Sequence, residues 1–311
     1  MGGMEERELI IIGGGPAGLT AGIYGVRAEL SVLVLEAQAP GGLIATAGLV
    51  ENYPGFPDGI MGIDLAENMR KQAENAGVEI RSFEAVQKLE YRNKGFFITT
   101  SKTKYRAKAV VIATGLRHRK LGIPGETEYS GKGVSYCFTC DGPLYKGKEV
   151  VVVGGGTGAV EASLFIENIA SRVTIVTKSD RVKTAEAILK TRLDKSGVNI
   201  SLRTKPIEVI GAEVVKGLRV LDLDSNKERV IDADGIFIEI GMKPNTAFLD
   251  DLGVKMEKGF VAVDEYMRTN VEGLYAAGDV TVKSLKQLGI AVAQGSLALL
   301  DAYKYLKGLD V

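Results

Sequence analysis

The sequence predicts an α/β fold with two Rossmann-like dinucleotide-binding domains, the second inserted into the first. A strand, a glycine-rich loop, a helix and a second strand follow one another near the N-terminus, and the same unit recurs roughly 140 residues later. This spacing favours two domains over a solenoid, whose repeats are only about 20–50 residues long. The 311 residues also suffice for two cores of ordinary size.

The first unit joins a short apolar strand to a glycine loop. We expect strand, helix and second strand at residues 8–12, 16–28 and 31–35. In its G-x-G-x-x-G pattern, Gly13 permits the tight turn, Gly15 admits a pyrophosphate and Gly18 lets the helix pack closely. Glu36, at the end of the second strand, is placed to bind ribose hydroxyls. A glycine turn that binds nothing is the alternative, which the complete strand, helix and acid disfavour.

The second unit has the same order, with strand, helix and strand expected at residues 149–153, 159–169 and 173–177. Its loop carries Gly154, Gly156 and Ala159 at the three key positions. No acid follows the second strand, and the nearby cations Lys178, Arg181 and Lys183 can instead contact a 2′-phosphate. Two alternatives remain open, namely that these cations are an ordinary solvated face and that the site binds no nicotinamide.

The remaining patterns complete the two domains. We expect further strands at residues 91–100, 104–112, 217–223 and 229–240, and a closing helix at about 289–306. Glycine-bearing crossings at 115–118 and 241–245 place the domain boundaries there. The first domain is then made of residues 1–115 and 246–311, and the inserted domain of residues 116–245.

The only two cysteines of the chain, Cys137 and Cys140, stand three positions apart, shortly before the second glycine loop. This spacing suits a redox pair, because one thiolate can attack a disulfide and the second sulfur can resolve the mixed disulfide. Asp141 follows directly and is a candidate proton donor or acceptor. A zinc site needs four ligands, and the only further thiol or imidazole is His118. Two inert buried thiols are the other alternative.

Composition argues against several partner classes. Basic and acidic residues both number 39, so the net charge is zero, and no polybasic block indicates a nucleic acid or an anionic membrane as partner. No apolar stretch reaches the roughly 18 residues of a membrane span. Acidic residues precede the first short apolar run, unlike a signal peptide. We therefore expect a cytoplasmic protein.

Taken together, the motifs resemble the low-molecular-weight thioredoxin reductases over nearly the whole chain. The matching stretches are residues 13–18, 50–56, 113–115, 135–142 and 276–279, and residues 286–288 stand where that family has an Arg-Gln-Ala flavin contact. The resemblance implies that FAD binds to the first domain, through Gly13, Gly15, Pro16, Ala17, Gly18, Glu36, Gly42, Leu43, Asn52, Thr114, Gly115, Gly278, Asp279, Lys286, Gln287 and Leu288. It implies that NADPH or NADH binds to the second, through Gly154, Gly156, Thr157, Gly158, Ala159, Lys178 and Lys183.

The resemblance also implies a mechanism. Hydride reduces FAD, the reduced flavin attacks the sulfur of Cys140, and Asp141 acts as the acid and base. Cys137 then attacks the disulfide of a thioredoxin- or glutaredoxin-like protein. In this family the inserted domain swings relative to the FAD domain, and homodimers are usual.

One departure leaves the electron donor open. NADPH-dependent members carry a His-Arg-Arg run after the second strand of the inserted domain, whereas this chain has Thr177, Lys178 and Ser179. Lysine does not replace the bidentate contacts of arginine with phosphate. NADPH, NADH, and reduced deazaflavin or ferredoxin, as in some archaeal and clostridial relatives, are all candidates. Further alternatives are a peroxiredoxin-linked reductase and a non-catalytic flavin electron-transfer or regulatory protein.

Overall fold

The computed structural model describes residues 4–184 and 186–309, and the chain divides into two compact units. The outer unit consists of the residues up to Arg117 together with those from Pro244 onward, and the inserted unit is His118–Lys243. The predicted boundaries at 116 and 245 lie two residues outside these. Short strands, Leu116–His118 and Met242–Pro244, occupy the two crossings.

The outer unit is built on a mainly parallel sheet. Its order is Glu79–Arg81, Val32–Leu35, Glu5–Ile12, Lys104–Ile112, Gly95–Thr100 and Val86–Arg92, and Leu274–Ala276 also pairs with Lys104–Ile112. Gly95–Thr100 is antiparallel to both of its neighbours, Lys104–Ile112 and Val86–Arg92. The other pairings are parallel. Helices cover the sheet at Pro16–Arg27, Gly62–Asn75 and Leu288–Lys307.

The central strand explains why this sheet lies in the middle of its unit. Leu9 and Ile11 pack into one apolar cluster, whereas Ile10 and Ile12 pack into another, and all four are 0–4% exposed. Successive side chains of a strand point to opposite faces, so a continuous apolar run requires cover on both sides. Shorter elements of this unit are the 3-10 helices Gly42–Thr46, Ala247–Leu252 and Gly278–Val280 and the paired strands Leu49–Val50 with Ile60–Met61 and Met256–Glu257 with Phe260–Val261.

The inserted unit repeats the parallel arrangement on a smaller scale. Its sheet has the order Val134–Ser135, Gly235–Ile238, Glu149–Val153, Arg172–Val176 and Asn199–Ser201. A separate antiparallel sheet comprises Thr204–Gly211, Val215–Asp222 and Glu228–Asp232. The helices are Phe138–Asp141, Thr157–Glu167 and Ala187–Asp194, with a 3-10 turn at Gly142–Tyr145. Each unit thus has a Rossmann-like sheet, as the sequence predicts.

Two of the predicted strands were wrong, because each of these stretches contains an interruption that the sequence analysis did not predict. The stretch 91–100 is a hairpin of Val86–Arg92 and Gly95–Thr100, which turns at Asn93 and Lys94, both with positive φ. The stretch 229–240 is two strands in different sheets, and between them the Asp234 carboxylate accepts the Glu149 N–H. Helix bounds differ from prediction by one or two residues, and among the described residues no helix is long and apolar enough to span a membrane.

Candidate active site and cofactor-binding residues

In the outer unit the predicted FAD contacts follow the carboxyl ends of neighbouring parallel strands. Ile12 is in register with Leu35 on one side and with Ile112 on the other, and Ile112 is in register with Ala276. The chain therefore leaves the sheet at one edge in every case, at the predicted site residues Gly13, Glu36, Thr114, Gly115, Gly278 and Asp279. This edge is where dinucleotides bind to Rossmann-like sheets.

The first glycine loop is shaped so that no side chain fits at two of its key positions, Gly13 and Gly18. Gly13 has φ of 111°, and a Cβ there would lie 2.3 Å from the Ala113 carbonyl oxygen. A Cβ on Gly18 would lie 1.9 Å from the Gly13 oxygen. An added Cβ on Gly15 would have only one neighbouring atom, the Gly42 Cα at 3.7 Å. The turn is therefore open at Gly15, and the atom that borders it belongs to the backbone. The loop is thus a tight backbone turn at the start of a helix, the kind of position at which phosphate groups bind.

The Glu36 carboxylate is held at the rim of this loop. One oxygen accepts the Gly14 N–H at 2.6 Å, and the other accepts the Gln38 N–H at 2.8 Å. These bonds fix the carboxylate beside the glycines, where a ribose of a bound dinucleotide lies in Rossmann domains. The half-buried Glu36 side chain thus lies next to the first glycine loop, and its contact with a ribose stays a prediction.

The start of the first helix is contacted closely from other parts of the outer unit. Pro16 and Ala17 open the helix, and Gly42, at the start of its own 3-10 helix with Leu43, faces Gly15. A Cβ on Gly278 would lie 3.0 Å from the Ala17 Cβ. A Cβ on Gly295 would lie 2.2 Å from the Ala17 oxygen, which lets the C-terminal helix pack directly on the first helix.

A polar group organises the segment that begins with Gly278. The Ser284 hydroxyl donates to the Asp279 carboxylate at 2.7 Å, and the Lys286 ammonium donates to the Asp279 carbonyl at 2.8 Å. Lys286 has a left-handed backbone, with φ of 59°, and its ammonium lies 4.3 Å from the centre of the Phe260 ring. The Lys286 ammonium is therefore tied to the Asp279 turn, although the residue is exposed.

Two further hydrogen-bonded pairs include residues that are predicted to contact the flavin. The Asn52 amide donates to the Gln287 side chain at 3.3 Å, next to Leu288, where the C-terminal helix begins. The Thr114 hydroxyl donates to the Asn245 carbonyl at 2.7 Å, and the Asn245 amide donates back to the Thr114 carbonyl at 3.0 Å.

Sequence reasoning missed Gln294 of the outer unit. This side chain is 5% exposed and accepts both the Gly278 N–H at 2.9 Å and the Thr281 hydroxyl at 3.2 Å. Buried polar groups require such partners, so Gln294 fixes the turn that precedes Asp279. The sequence signal that could have identified Gln294 is a single amide side chain on the apolar face of a long helix.

The inserted unit gathers its own predicted site residues at one sheet edge. Val153 is in register with Val176 and Ile238, and Ser135 is in register with Phe237. The segments that leave this edge begin at Tyr136, Gly154, Thr177 and Glu239. The cysteine pair and the second glycine loop thus share an edge, which the sequence spacing alone did not establish.

Cys137 and Cys140 are joined as a disulfide. Cys137 is the residue before a one-turn helix, and its sulfur accepts the Cys140 N–H at 3.1 Å. Cys140 is exposed, whereas Cys137 and Asp141 are half-buried. The alternative of two buried inert thiols is therefore excluded.

Aromatic packing attaches this short helix to the second nucleotide loop. Phe138, between the two cysteines, meets Phe165 edge to face at 5.6 Å. Phe165 belongs to Thr157–Glu167, the helix that the second glycine loop opens. A Cβ on Gly142 would lie 3.2 Å from the Phe165 ring, so this helix is packed closely against the turn after Asp141.

The residue before the disulfide is also anchored. The Tyr136 hydroxyl donates to the Glu126 carboxylate at 2.6 Å, and the same carboxylate accepts the N–H groups of Leu121 and Gly122. Burial and the Glu126 carboxylate raise the pKa of Tyr136, so the phenol stays neutral. The backbone that leads to Cys137 is therefore rigidly held.

The second glycine loop repeats the tight turn of the first. A Cβ on Gly154 would lie 2.1 Å from the Glu239 carbonyl oxygen, whereas Gly156 faces open space. The segment after Thr177 folds back on this loop, where the Lys183 N–H donates to the Gly155 oxygen at 2.8 Å. Lys178 and Lys183 are both exposed on this segment, and their contact with a 2′-phosphate stays a prediction. The helix begins at Thr157, Gly158 and Ala159.

Glu239 is the second site residue that sequence reasoning missed. Its Oε2 lies 3.1 Å from the position of a Cβ on Gly158, at the start of the loop helix. Burial first, and the Glu161 carboxylate second, raise the pKa of Glu239 to about 7. The available signal was an acid between an apolar strand and Gly241.

These geometries test the fit of the implied cofactors. The outer unit has a tight glycine turn that is unobstructed at Gly15, and its Glu36 carboxylate is held by hydrogen bonds beside that turn. These features fit the diphosphate and ribose of FAD. The inserted unit offers the same turn, but with a carboxyl group beside the helix N-terminus and without an arginine pair after Thr177. The described turn of the outer unit therefore fits the diphosphate and ribose of a dinucleotide, and that of the inserted unit fits them only in part.

Comparison with known proteins agrees with this arrangement. The family pattern of the pyridine nucleotide-disulphide oxidoreductases matches residues 7–295. Thioredoxin reductase from Treponema pallidum is 41% identical over 305 residues, which cover 98% of this chain and 99% of the relative. The crystal structure of thioredoxin reductase from Lactococcus lactis superposes with a TM-score of 0.91 at 36% identity, covering 97% of this chain and 100% of that one.

A third similarity is to a clostridial protein. A ferredoxin-flavin thioredoxin reductase from Clostridium acetobutylicum is 32% identical, with a TM-score of 0.55, and 98% of this chain is covered with 100% of that one. The family pattern and the full-length identity both show the relationship. The chain therefore belongs to the pyridine nucleotide-disulphide oxidoreductase family, and within it to the group of the thioredoxin reductases.

Proposed function

We propose that the protein is a flavin-dependent thioredoxin-disulfide reductase, which passes electrons through FAD and the Cys137–Cys140 pair to a protein disulfide. The observation that carries this proposal is the exposed disulfide at the same sheet edge as the second glycine loop. An exposed disulfide between residues three apart is a working redox group rather than a structural staple. The similarity to proteins named thioredoxin reductase supports the same reaction class.

FAD would be held by the outer unit and would supply a two-electron carrier between a reduced donor and the disulfide. The first glycine loop would take its diphosphate and Glu36 a ribose. Around its ring system we place the segments that the structure ties together, Asn52 with Gln287, Thr114 with Asn245, and Asp279 with Lys286. The rigid bonds among these side chains would keep them oriented without reorganisation.

The cysteines perform the exchange with the protein substrate. Two electrons and two protons convert the Cys137–Cys140 disulfide into two thiols, and we assign one proton transfer to Asp141, which follows Cys140. The Cys137 thiolate attacks the substrate disulfide and releases one substrate thiol. Cys140 then attacks the mixed disulfide, which restores the Cys137–Cys140 bond and releases the second substrate thiol. The substrate class is a thioredoxin- or glutaredoxin-like protein.

For the donor we propose NAD(P)H, bound by Gly154 to Ala159 with Lys178 and Lys183 near its ribose. A second candidate, reduced ferredoxin or deazaflavin, is favoured by the Glu239 carboxyl beside the Gly158 position. The full-length similarity to a ferredoxin-flavin thioredoxin reductase supports the same candidate.

We also propose a cytoplasmic homodimer. Leu49, Met61 and Ile63 are 54%, 39% and 56% exposed on and beside one small hairpin of the outer unit, a surface that a second copy would cover. Light scattering of the purified flavoprotein is expected to give twice the mass of the chain, and a monomer mass would contradict the dimer.

An anaerobic titration of the purified flavoprotein tests the proposed function. NADPH, NADH, reduced deazaflavin and reduced ferredoxin are added in turn, and bleaching of the flavin band identifies the donor. Cys140→Ser is expected to keep flavin reduction and to lose transfer to a protein disulfide. Transfer that survives in Cys140→Ser would show that the roles of the cysteines are wrong.

A further inference from the structure

The backbone of Glu239 lies directly against the second glycine loop. Its N–H donates to the Val153 oxygen at 2.8 Å, and its own carbonyl oxygen lies where a side chain on Gly154 would be. Glu239 is thereby fixed at the end of strand Gly235–Ile238, next to the turn that faces a dinucleotide.

The side chain of Glu239 points at the part of the loop that a pyrophosphate would use. Its Oε2 is 3.1 Å from the Cβ position of Gly158, the second residue of helix Thr157–Glu167. The first N–H groups of such a helix are the donors that bind phosphate. A negative charge here would meet the negative pyrophosphate at short range.

Within the part of the chain that the structure describes, no ion pair neutralises this carboxylate. Among the described residues none donates a hydrogen bond to it, and the charge that acts on it most is the like charge of Glu161 on the loop helix. The other titratable groups on the surrounding segments include Asp141 after the disulfide, Glu186 beyond the loop, and, on the segment that folds back on the loop, Lys178, Asp180, Arg181 and Lys183. Burial and Glu161 together raise the pKa of Glu239 to about 7.

We propose that Glu239 controls whether the second loop accepts a nicotinamide dinucleotide, which binds when this carboxyl group is neutral and is repelled when it is ionised. The inference rests on the proposed function, because it concerns the donor site of that reductase. Above pH 7, where Glu239 is mostly ionised in the free protein, binding then takes up about one proton from solvent onto this carboxyl group. The same chain would accept NAD(P)H at pH 6 and disfavour it at pH 9, which leaves room for a protein donor.

The size of the effect follows from linkage. Above a pKa of about 7 the neutral fraction of Glu239 falls about tenfold for each pH unit, so the dissociation constant rises by the same factor. Replacing the carboxylate by an amide removes this dependence. At pH 8 we expect Glu239→Gln to bind the dinucleotide about tenfold more tightly than the wild type.

Calorimetric binding of NAD⁺ to the oxidised, FAD-loaded protein tests the proposal at pH 6, 7, 8 and 9. NAD⁺ neither reduces the flavin nor carries a 2′-phosphate that titrates in this range. The wild type is expected to weaken progressively above pH 7, Glu239→Gln to stay constant, and Glu186→Gln, an exposed acid near the same loop, to behave like the wild type. FAD content and melting temperature confirm that each variant is folded.

Three results would overturn the proposal. These are a wild-type dissociation constant that does not change with pH, a Glu239→Gln variant that binds no more tightly at pH 8, and failure of both proteins to bind NAD⁺ or NADP⁺ at pH 6. A separate assay distinguishes these outcomes from failure of the proposed function, because photoreduced protein would still reduce a thioredoxin-like disulfide whatever Glu239 does.

Discussion

The contact between Gly18 and Gly13 provides the sharpest test of the proposed FAD site. A methyl group on Gly18 would lie 1.9 Å from the Gly13 carbonyl oxygen, whereas real Cβ contacts are at least about 3.0 Å. The obstacle is backbone, so the turn itself has to move by about 1 Å. Overpacking of this kind costs about 1–3 kcal/mol.

The same displacement should disrupt FAD binding more than folding. Because a shift of about 1 Å costs on the order of 100-fold in a precisely positioned site, we expect Gly18→Ala to bind FAD roughly 100-fold more weakly. The assay is the ratio of flavin to protein absorbance after gel filtration, followed by fluorescence titration of the apoprotein with FAD.

Gly22→Ala is the matched control one turn along the same helix. Its added methyl would meet a Val78 side-chain methyl at 2.9 Å rather than backbone, and Val78 can adjust. We expect Gly22→Ala to retain FAD and to lose only about 1 kcal/mol of stability. If Gly18→Ala retained FAD as well as Gly22→Ala does, the assignment of the first loop to the diphosphate would be refuted.

Three further predictions address the buried ion pair, the raised pKa and the proton transfer. Asp301 is 4% exposed and accepts two hydrogen bonds from Arg268, so Asp301→Asn should lose about 2 kcal/mol in urea unfolding, and an unchanged midpoint would contradict this. Folding raises the pKa of Glu239 from 4.5 to about 7, so the folded state holds the extra proton and stability falls as pH rises through that window. Glu239→Gln should therefore be more stable than the wild type by up to about 3 kcal/mol at pH 8 and nearly equal at pH 4.5, and equal melting temperatures at pH 8 would show the shift to be absent. Asp141→Asn should slow disulfide reduction by the reduced flavin about 100-fold or more in stopped flow, with donor oxidation unchanged, and an unaltered rate would remove Asp141 from the proton transfer.

Local patterns predicted most of the fold. The strand Glu149–Val153 has the predicted bounds, and the first helix begins at Pro16, because an apolar β-branched run followed by glycines leaves few alternatives. The hairpin turn at Asn93 and Lys94 was not predicted because neither of these two residues is a glycine. Lys94 has a left-handed backbone conformation that is unfavourable for its residue type, and the strand pairing across the hairpin offsets this strain.

The site residues that were missed depend on contacts between distant segments. Gln294 supports Gly278 from another element, and Glu239 reaches Gly158 from a strand far along the chain. A spacing rule within one motif contains no information on such pairs. The glycine loops and the cysteine pair were predictable because each motif lies within a few consecutive residues. The carboxyl group of Glu239 comes close to the second loop only when the sheet brings the two segments together.

The electron capacity of the protein tests the central claim most directly. Anaerobic titration with dithionite should require four electrons per chain, two for FAD and two for the Cys137–Cys140 disulfide, and addition of an oxidised thioredoxin-like protein should restore the yellow flavin. The Cys137→Ser/Cys140→Ser variant should take up two electrons and fail to reduce that protein. A wild type that accepts only two electrons, or a double variant that still reduces the protein disulfide, would contradict the proposed path through the cysteine pair.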